Sequence, residues 1–470
     1  MSFSKSKITE KNPTDQKLNL ASQMQLFDLP SIDNKRVEIS FTGQDISSDG
    51  GLLLVKEVER QTGIIKAITS CMVDDRHQGY VQHSFQEIAA QRVYQIIAGY
   101  EDANDCNKLR NDTILKMSVG RSPISGNALA SQPTMTRFEN APTIKELYNI
   151  AYAFAQNFVS SYETEPSVII IDCDDTNSDI HGGQQLGLYN DYYGEYCYMP
   201  LHIYEGLSGK LISTILKPGR RSKGANIYGI LQRLITFLRK SWKNTVIIVR
   251  GDSHFCSKDL MDWCAGQRNV RFMTGLTGNK VLNSRVEDIV KNSEKEFQRH
   301  NKPVKRYHSF SYKAQSWENE QRVIVKIEVT HMGTNIRYIV TDLWEYRTKA
   351  LYEQGYCWRG RMELNIKDHK TYLNSDRMSC NSFFANQFRL FLHSAAYVLM
   401  HTMQQNILKC NNLASVTMKT FRERFIKIAA QVRELKTKIT VELPVTCPEA
   451  QLLEKHLLTC LLYTSPSPRD

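Results

Sequence analysis

Long apolar runs are missing from this chain. No stretch approaches the roughly 18–20 residues needed to cross a bilayer, and the longest, such as Val246–Val249, are strand-sized. A membrane-spanning role is excluded on that reading. Cysteine pairs at metal-ligand or redox spacing are missing too: the 11 cysteines are scattered with no Cys-x-x-Cys. A disulfide scaffold and a clustered structural zinc site are therefore not expected, and the thiols read as reduced, small hydrophobes. The N-terminal MSFSKSKITEKNPTDQKLNL has no apolar core of a secretory leader, so a cytoplasmic location is expected. No internal repeat is apparent.

What is present is ordinary globular composition, with 41% hydrophobic and 23% charged residues over 470 positions. That length suits two to four domains of about 100–200 residues each. Sixty Lys and Arg against 49 Asp and Glu leave a net charge of +11, which favours a polyanionic partner.

Residues 1–40 are polar without sustained period and read as a flexible arm. Residues 41–160 read as an all-α domain. Ser84 with Glu87 forms a capping box, Phe85, Ile88, Ala89, Val93, Ile96 and Ile97 recur on one face, and Gly99 stops the helix. Ile144 to Val159 repeats that spacing, and Ser131–Asn140 offers a short helix between them. After Pro166 the character changes. Val168–Ile171, Tyr198–Tyr204, Leu211–Leu216, Val246–Val249 and Val270–Met273 read as strands, with a helix over Ile227–Leu238. This is a mixed α/β sheet over 165–280, continued at 346–400. A β-rich insertion at 281–345 carries a hairpin of Gln321–Thr330 and Asn335–Thr341 around Gly333. Helix is expected to return near 348 and run to about 435, making 401–459 a basic helical C-terminal region. Its segment 401–440 holds eight Lys or Arg and two Glu, a candidate phosphate-binding face. The last residues, CLLYTSPSPRD at 460–470, look like translated sequencing adapter and are read as a non-native tail.

Three carboxylate sites stand out. In VIIIDCDDT, an apolar strand feeds Asp172, Asp174 and Asp175, and residues two apart on a strand share a face, so Asp172 and Asp174 project together. In VIIVRGDSHF, Asp252 directly follows a second apolar strand. Glu363 lies on a helix after the insertion. Carboxylates at adjacent strand ends plus one from a helix can hold two Mg²⁺ ions, which stabilise the attacking and leaving oxygens of a phosphoryl displacement. Around Glu363, Tyr356, Arg359 and Lys370 complete the pattern Y-x2-R-x3-E-x6-K. At 3.6 residues per turn the four share a helical face, so a metal ligand would be flanked by two cations able to meet phosphate. Trp358, inside the same helix, is expected in the core.

At these residues the chain resembles the DDE transposases of bacterial insertion sequences, in the group with the Tyr-Arg-Glu-Lys signature. HGGQ, YNDYYGEYCYMPL, LKPGR, RGDSHF and DRMSCNSFFANQFRLFLHSAAYVL look like blocks of that family and extend the likeness over roughly 40–445. The resemblance implies a ribonuclease H-like catalytic domain interrupted by the β-rich insertion. It implies a triad of Asp174, Asp252 and Glu363 as metal ligands, with Asp172 as the alternative to Asp174; the family places its aspartate before x-Thr or x-Ser, as in Asp174-Asp175-Thr176. It also implies two Mg²⁺ ions, with Mn²⁺ as substitute, cleavage of element ends by water, and joining to target DNA by the freed 3′-OH. The partners would be double-stranded DNA, both terminal inverted repeats and target, met by a homodimer in a bacterial, nucleoid-associated setting. DNA contacts would come from Tyr356, Arg359 and Lys370, with His181, Gln184 and His254 as further candidates. End recognition is assigned to the N-terminal α domain by analogy.

Two other readings compete. An apolar strand followed by Asp-x-Asp-x-Thr also opens haloacid dehalogenase-like phosphohydrolases, where Asp172 would be the nucleophile and Asp174 the acid/base. That family needs an acid about four residues after its Gly-Asp, and Cys256 stands there. The second is a DNA-binding protein that keeps a transposase fold without its chemistry; no triad carboxylate is missing. The tyrosines at 189, 192, 193, 196 and 198 form a cluster able to stack on bases or to pack.

Overall fold

The computed structural model describes residues 29–37, 45–220, 225–409 and 416–455. Most of the polar arm and the whole 460–470 tail lie outside them. Within the arm, Leu29–Ile32 and Lys35–Val37 pair as a small antiparallel hairpin.

Helices dominate as far as residue 160. Helix α1 spans Leu52–Thr62 and α2 spans Phe85–Ala98. Ser84 and Glu87 form the expected reciprocal cap on α2, and Gly99 ends it in the left-handed region. Helix α3 covers Gln132–Glu139 and α4 covers Ile144–Ser160, the latter capped by Thr143 and Glu146.

An eight-stranded mixed sheet follows. Its strands are β1 (Val168–Asp175), β2 (Leu201–Glu205), β3 (Leu211–Ile215), β4 (Val246–Gly251), β5 (Val270–Leu276), β6 (Val304–Tyr312), β7 (Gln321–Thr330) and β8 (Gly333–Thr341). They lie in the order β3-β2-β1-β4-β5-β8-β7-β6. Strands β4 and β5 run parallel to β1, whereas β2, β3 and β8 join antiparallel to their neighbours. The central β1 and β4 are apolar on both faces until their C-terminal ends, as strands covered on both sides must be. Helices α5 (Ala225–Ser241) and α6 (Lys258–Ala265) make the crossovers. The insertion differs from expectation: it opens with a 21-residue helix, α7 (Lys280–His300), and its three strands extend the main sheet rather than standing apart.

Beyond the sheet, residues 348–372 are helical with shifting winding. Leu351–Tyr356 is π-helical, Cys357–Arg359 is 3₁₀, α8 (Gly360–Lys367) is regular, and Asp368–Tyr372 is π-helical again. Helix α9 (Phe383–Lys409) is buried on nearly all sides and lies between the sheet and the N-terminal helices. Thr214 of β3 bonds Ser394 at 2.8 Å, while Phe388 and Phe391 pack on Phe138 and Phe154.

The N-terminal helices thus share one apolar core with α9 and residues up to Leu453. The all-α separate domain expected over 41–160 needs correction on a second count, because Ile46–Ser47 pairs with Ala430–Glu434. The 401–459 region is not uniformly helical: Ala430–Glu434 and Ile439–Glu442 are strands. Such short strands in a polar segment leave no periodic trace long enough to read.

A buried ionic triad joins these parts. Glu139 accepts from Arg92 Nε at 2.9 Å and from Arg389 Nη1 at 2.8 Å, tying α3 to α2 and α9. All three side chains are almost wholly enclosed, so removing the central charge strands two guanidiniums. Glu139→Gln is expected to cost about 3–5 kcal/mol, read as a lower thermal unfolding midpoint; an unchanged midpoint would show that the two arginines find other partners.

Candidate active site

Strands β1 and β4 pair in parallel with Asp172 opposite Arg250. Asp174 and Asp252 each come two residues later, so the alternation of side chains brings both to the same end and face of the sheet. Asp174 is the penultimate residue of β1, and Asp252 directly follows β4 and caps the 3₁₀ turn Ser253–Phe255, its Oδ1 accepting from the His254 backbone N–H at 2.8 Å. Burial pushes the Asp174 carboxyl up to about 6, and the neighbouring Asp252 charge adds to that, while Arg359 pulls against it.

The signature residues distribute unevenly around this pair. Arg359 Nη1 donates to Asp174 Oδ2 at 3.0 Å. Asp174, Tyr356 and Asp252 together raise the guanidinium's pKa against its burial. Tyr356 is brought beside Asp252: a Cβ on Gly275 would sit 2.9 Å from its hydroxyl and 2.7 Å from the Ser253 nitrogen. The bare glycine in β5 is what permits that approach. Lys370 Nζ donates to the Asn177 carbonyl at 2.6 Å and to its Oδ1 at 2.9 Å, holding the loop after β1. Glu363 is exposed. Among the described residues, no three His, Cys, Asp or Glu side chains gather closely enough to share a metal. The stretch that carries these four residues is not wound at the constant 3.6 residues per turn on which the expected helical face rests. Trp358 is 45% exposed instead of core, with the Arg361 guanidinium 4.7 Å from its ring centre.

The other acids of β1 have their own cations. Asp172 meets Arg250 in a bidentate pair at 2.5 and 2.6 Å, each side chain 1% exposed. Asp175, on the opposite face, accepts from Lys217 Nζ at 2.6 Å. A nucleophile must reach its substrate, so the enclosed and doubly bonded Asp172 does not suit the phosphohydrolase reading. Arg250 and Lys217 were not singled out from the sequence; the one signal for Arg250 is a cation inside an otherwise apolar strand, VIIVRG.

The remaining candidates are dispersed. His181 is exposed, and His254 is half-buried beside Asp252. Gln184 Nε2 donates to the Met378 and Cys380 carbonyls, which fixes its loop to the segment before α9. Tyr198 is buried and donates to the Gln185 carbonyl, whereas Tyr189, Tyr192 and Tyr196 are exposed on a short hairpin. Three of the basic C-terminal residues make internal contacts: Arg422 donates to the Ile97 and Tyr372 carbonyls, Arg424 pairs with Glu449, and Lys427 pairs with Asp49, whereas Lys419, Arg433, Lys436 and Lys438 are exposed. The described cations of that segment are thus divided between internal contacts and the surface.

Asp174 and Asp252 supply the hard oxygen donors that a divalent cation prefers. They fit one, with Glu363 not gathered to them. Arg359 brings a positive charge to one of the two carboxylates.

The family model described as transposase DDE domain group 1 matches residues 29–462. Among solved structures, the chain is similar to a piggyBac transposase seen by cryo-EM in a synaptic complex with hairpin DNA. The identity is 11% and the TM-score 0.45, covering 82% of each chain. No curated protein matches.

If Asp174 holds a cation, Arg359 competes with it, and Arg359→Met is then expected to tighten Mn²⁺ binding by about tenfold, the effect of removing one charge-assisted contact worth roughly 1.5 kcal/mol. Calorimetric titration, or the thermal shift with MnCl₂, checks this. Unchanged or weaker binding would mean that Arg359 does not compete with the metal.

Proposed function

Because the chain belongs to the transposase DDE domain group 1 family, and is thus an enzyme that cuts and joins DNA with divalent metal, we propose that Asp174, Asp252 and Glu363 are its triad. The observation that carries this reading is the meeting of Asp174 and Asp252 at the ends of adjacent parallel strands. The strand order β3-β2-β1-β4-β5, with β4 and β5 parallel to β1, supports a ribonuclease H-like core. Glu363 is the third carboxylate in this reading, and Arg359 has to leave Asp174 before a metal replaces it.

In this proposal the ions are Mg²⁺, two in number, with Mn²⁺ as substitute. When bound, they stabilise charge on the attacking and leaving oxygens of a phosphodiester. The chain's own residues do the rest. Asp174 and Asp252 would hold the ions at the C-terminal ends of two central strands. Arg359, once released, offers a planar fork to a phosphate, and Tyr356 stands beside it. Lys370 holds the loop after β1 through Asn177. His181 and His254 lie on loops after the two aspartates, where approaching DNA would pass. The substrates are the terminal inverted repeats of a bacterial insertion sequence of the Tyr-Arg-Glu-Lys group, then target DNA, handled by a homodimer.

Incubation with the DNA flanking the reading frame tests this. Cleavage is expected with Mg²⁺ or Mn²⁺ and not in EDTA. Asp174→Asn and Asp252→Asn should bind ends normally while losing at least about 100-fold in cleavage. Cleavage that persists in EDTA overturns the metal assignment, and an active Asp252→Asn variant removes that residue from the triad.

A further inference from the structure

We propose that Arg250 is a positioning residue for this reaction: anchored by Asp172, it grips the Gly355 carbonyl and so sets where Tyr356 and Arg359 meet the two aspartates. The inference rests on the reading of Asp174 and Asp252 as the reacting centre.

The argument starts from cost. An arginine 1% exposed inside an apolar strand is untenable unless every charge and donor is matched. Asp172 faces it across the parallel pairing and takes two nitrogens, Nε to Oδ1 and Nη2 to Oδ2. The third nitrogen, Nη1, donates to the Gly355 carbonyl. Only a guanidinium spans a carboxylate and a separate carbonyl in this way, because lysine is a single point donor.

The grip falls at a specific place. Gly355 lies in the π-helical Leu351–Tyr356, directly before the 3₁₀ turn Cys357–Arg359. In a regular α-helix its carbonyl would accept from the N–H four residues on, at Arg359. A side chain inserted into that ladder is a recognised cause of altered winding, and π turns recur at functional sites. One residue after the grip, Tyr356 packs its hydroxyl against Gly275 beside Asp252; four after it, Arg359 bonds Asp174.

Gly206 keeps room for the pair. A Cβ there would lie 2.6 Å from both Arg250 Nη2 and Asp172 Oδ2. Gly206 is not among the glycines with positive φ, so space rather than backbone conformation excludes a side chain at this position.

Arg250→Lys separates positioning from charge balance, because it keeps a cation beside Asp172 and loses the bond to Gly355. End cleavage under saturating Mn²⁺ should fall at least about tenfold in kcat, with KM for end DNA within about twofold; small misplacement of reacting groups acts on the chemical step. Amide hydrogen exchange across 355–360 should quicken by about tenfold while β1 and β4 keep their protection. The double variant Asp172→Leu/Arg250→Met guards against simple unfolding, since an apolar replacement of a buried pair is often neutral. It should keep its thermal midpoint and show the same kcat loss. Gly206→Ala should show a weaker form of the same pattern. A folded double variant that cleaves at the wild-type rate overturns the proposal. So does unchanged exchange at 355–360 in Arg250→Lys, a readout that holds even if the wild-type protein cuts no end DNA and the proposed function itself falls.

Discussion

Parallel pairing of β1 with β4 sets the level of every acid in the site. Asp172 stands opposite Arg250, so the next same-face positions, Asp174 and Asp252, emerge side by side where both strands end. A slip of one residue would turn Arg250 toward the face that carries Cys173 and Asp175 and separate the two aspartates, because strand side chains alternate with a period of two. The register is held from below by the apolar pairs Ile169 with Ile247 and Ile171 with Val249, all almost fully buried. Hydrophobic burial in the middle of the sheet thereby fixes charge placement at its edge.

Three acids within four residues would repel one another strongly without compensation. Each has a separate cation: Arg250 for Asp172, Arg359 for Asp174 and Lys217 for Asp175. The three differ in enclosure, and that difference divides their roles. The Asp172 pair is sealed and works as an internal joint. The Asp174 pair is the more open one and lies next to a second carboxylate, so burial and repulsion both press Asp174 toward its neutral form. A site in which an anion is held by one guanidinium against its own desolvation is one where a multivalent cation gains most by entering.

The sequence made much of this legible for physical reasons. Apolar runs that end in Asp reveal buried parallel strands, and the reciprocal cap at Ser84 marks a helix start. Other features had no such signature. Strands of four or five residues after 430 leave too short a pattern, and a helix such as α9 that is buried on all sides has no amphipathic period to betray its neighbours. Arg250 is ambiguous within VIIVRG because a cation at a strand end usually points to water. The face shared by Tyr356, Arg359, Glu363 and Lys370 was inferred from a constant 3.6-residue turn; the real winding changes three times between Leu351 and Tyr372. The same four residues therefore point to different tasks.

Those changes in winding have a common accompaniment. The first π-helical stretch is gripped at the Gly355 carbonyl by Arg250, and the second, Asp368–Tyr372, is gripped at the Tyr372 carbonyl by Arg422 at 2.6 Å. Arg422 also reaches the Ile97 carbonyl at the end of α2, where helical carbonyls lack partners of their own. Asp368 adds a bond from the Met418 N–H. The signature stretch is thus fastened at one end to the catalytic sheet and at the other to the N-terminal helices and the C-terminal segment. Arg422, which by composition alone counts toward a DNA-binding face, serves here as an internal fastener of backbone carbonyls. The residues between the two grips, 356 to 371, are the residues that carry the signature.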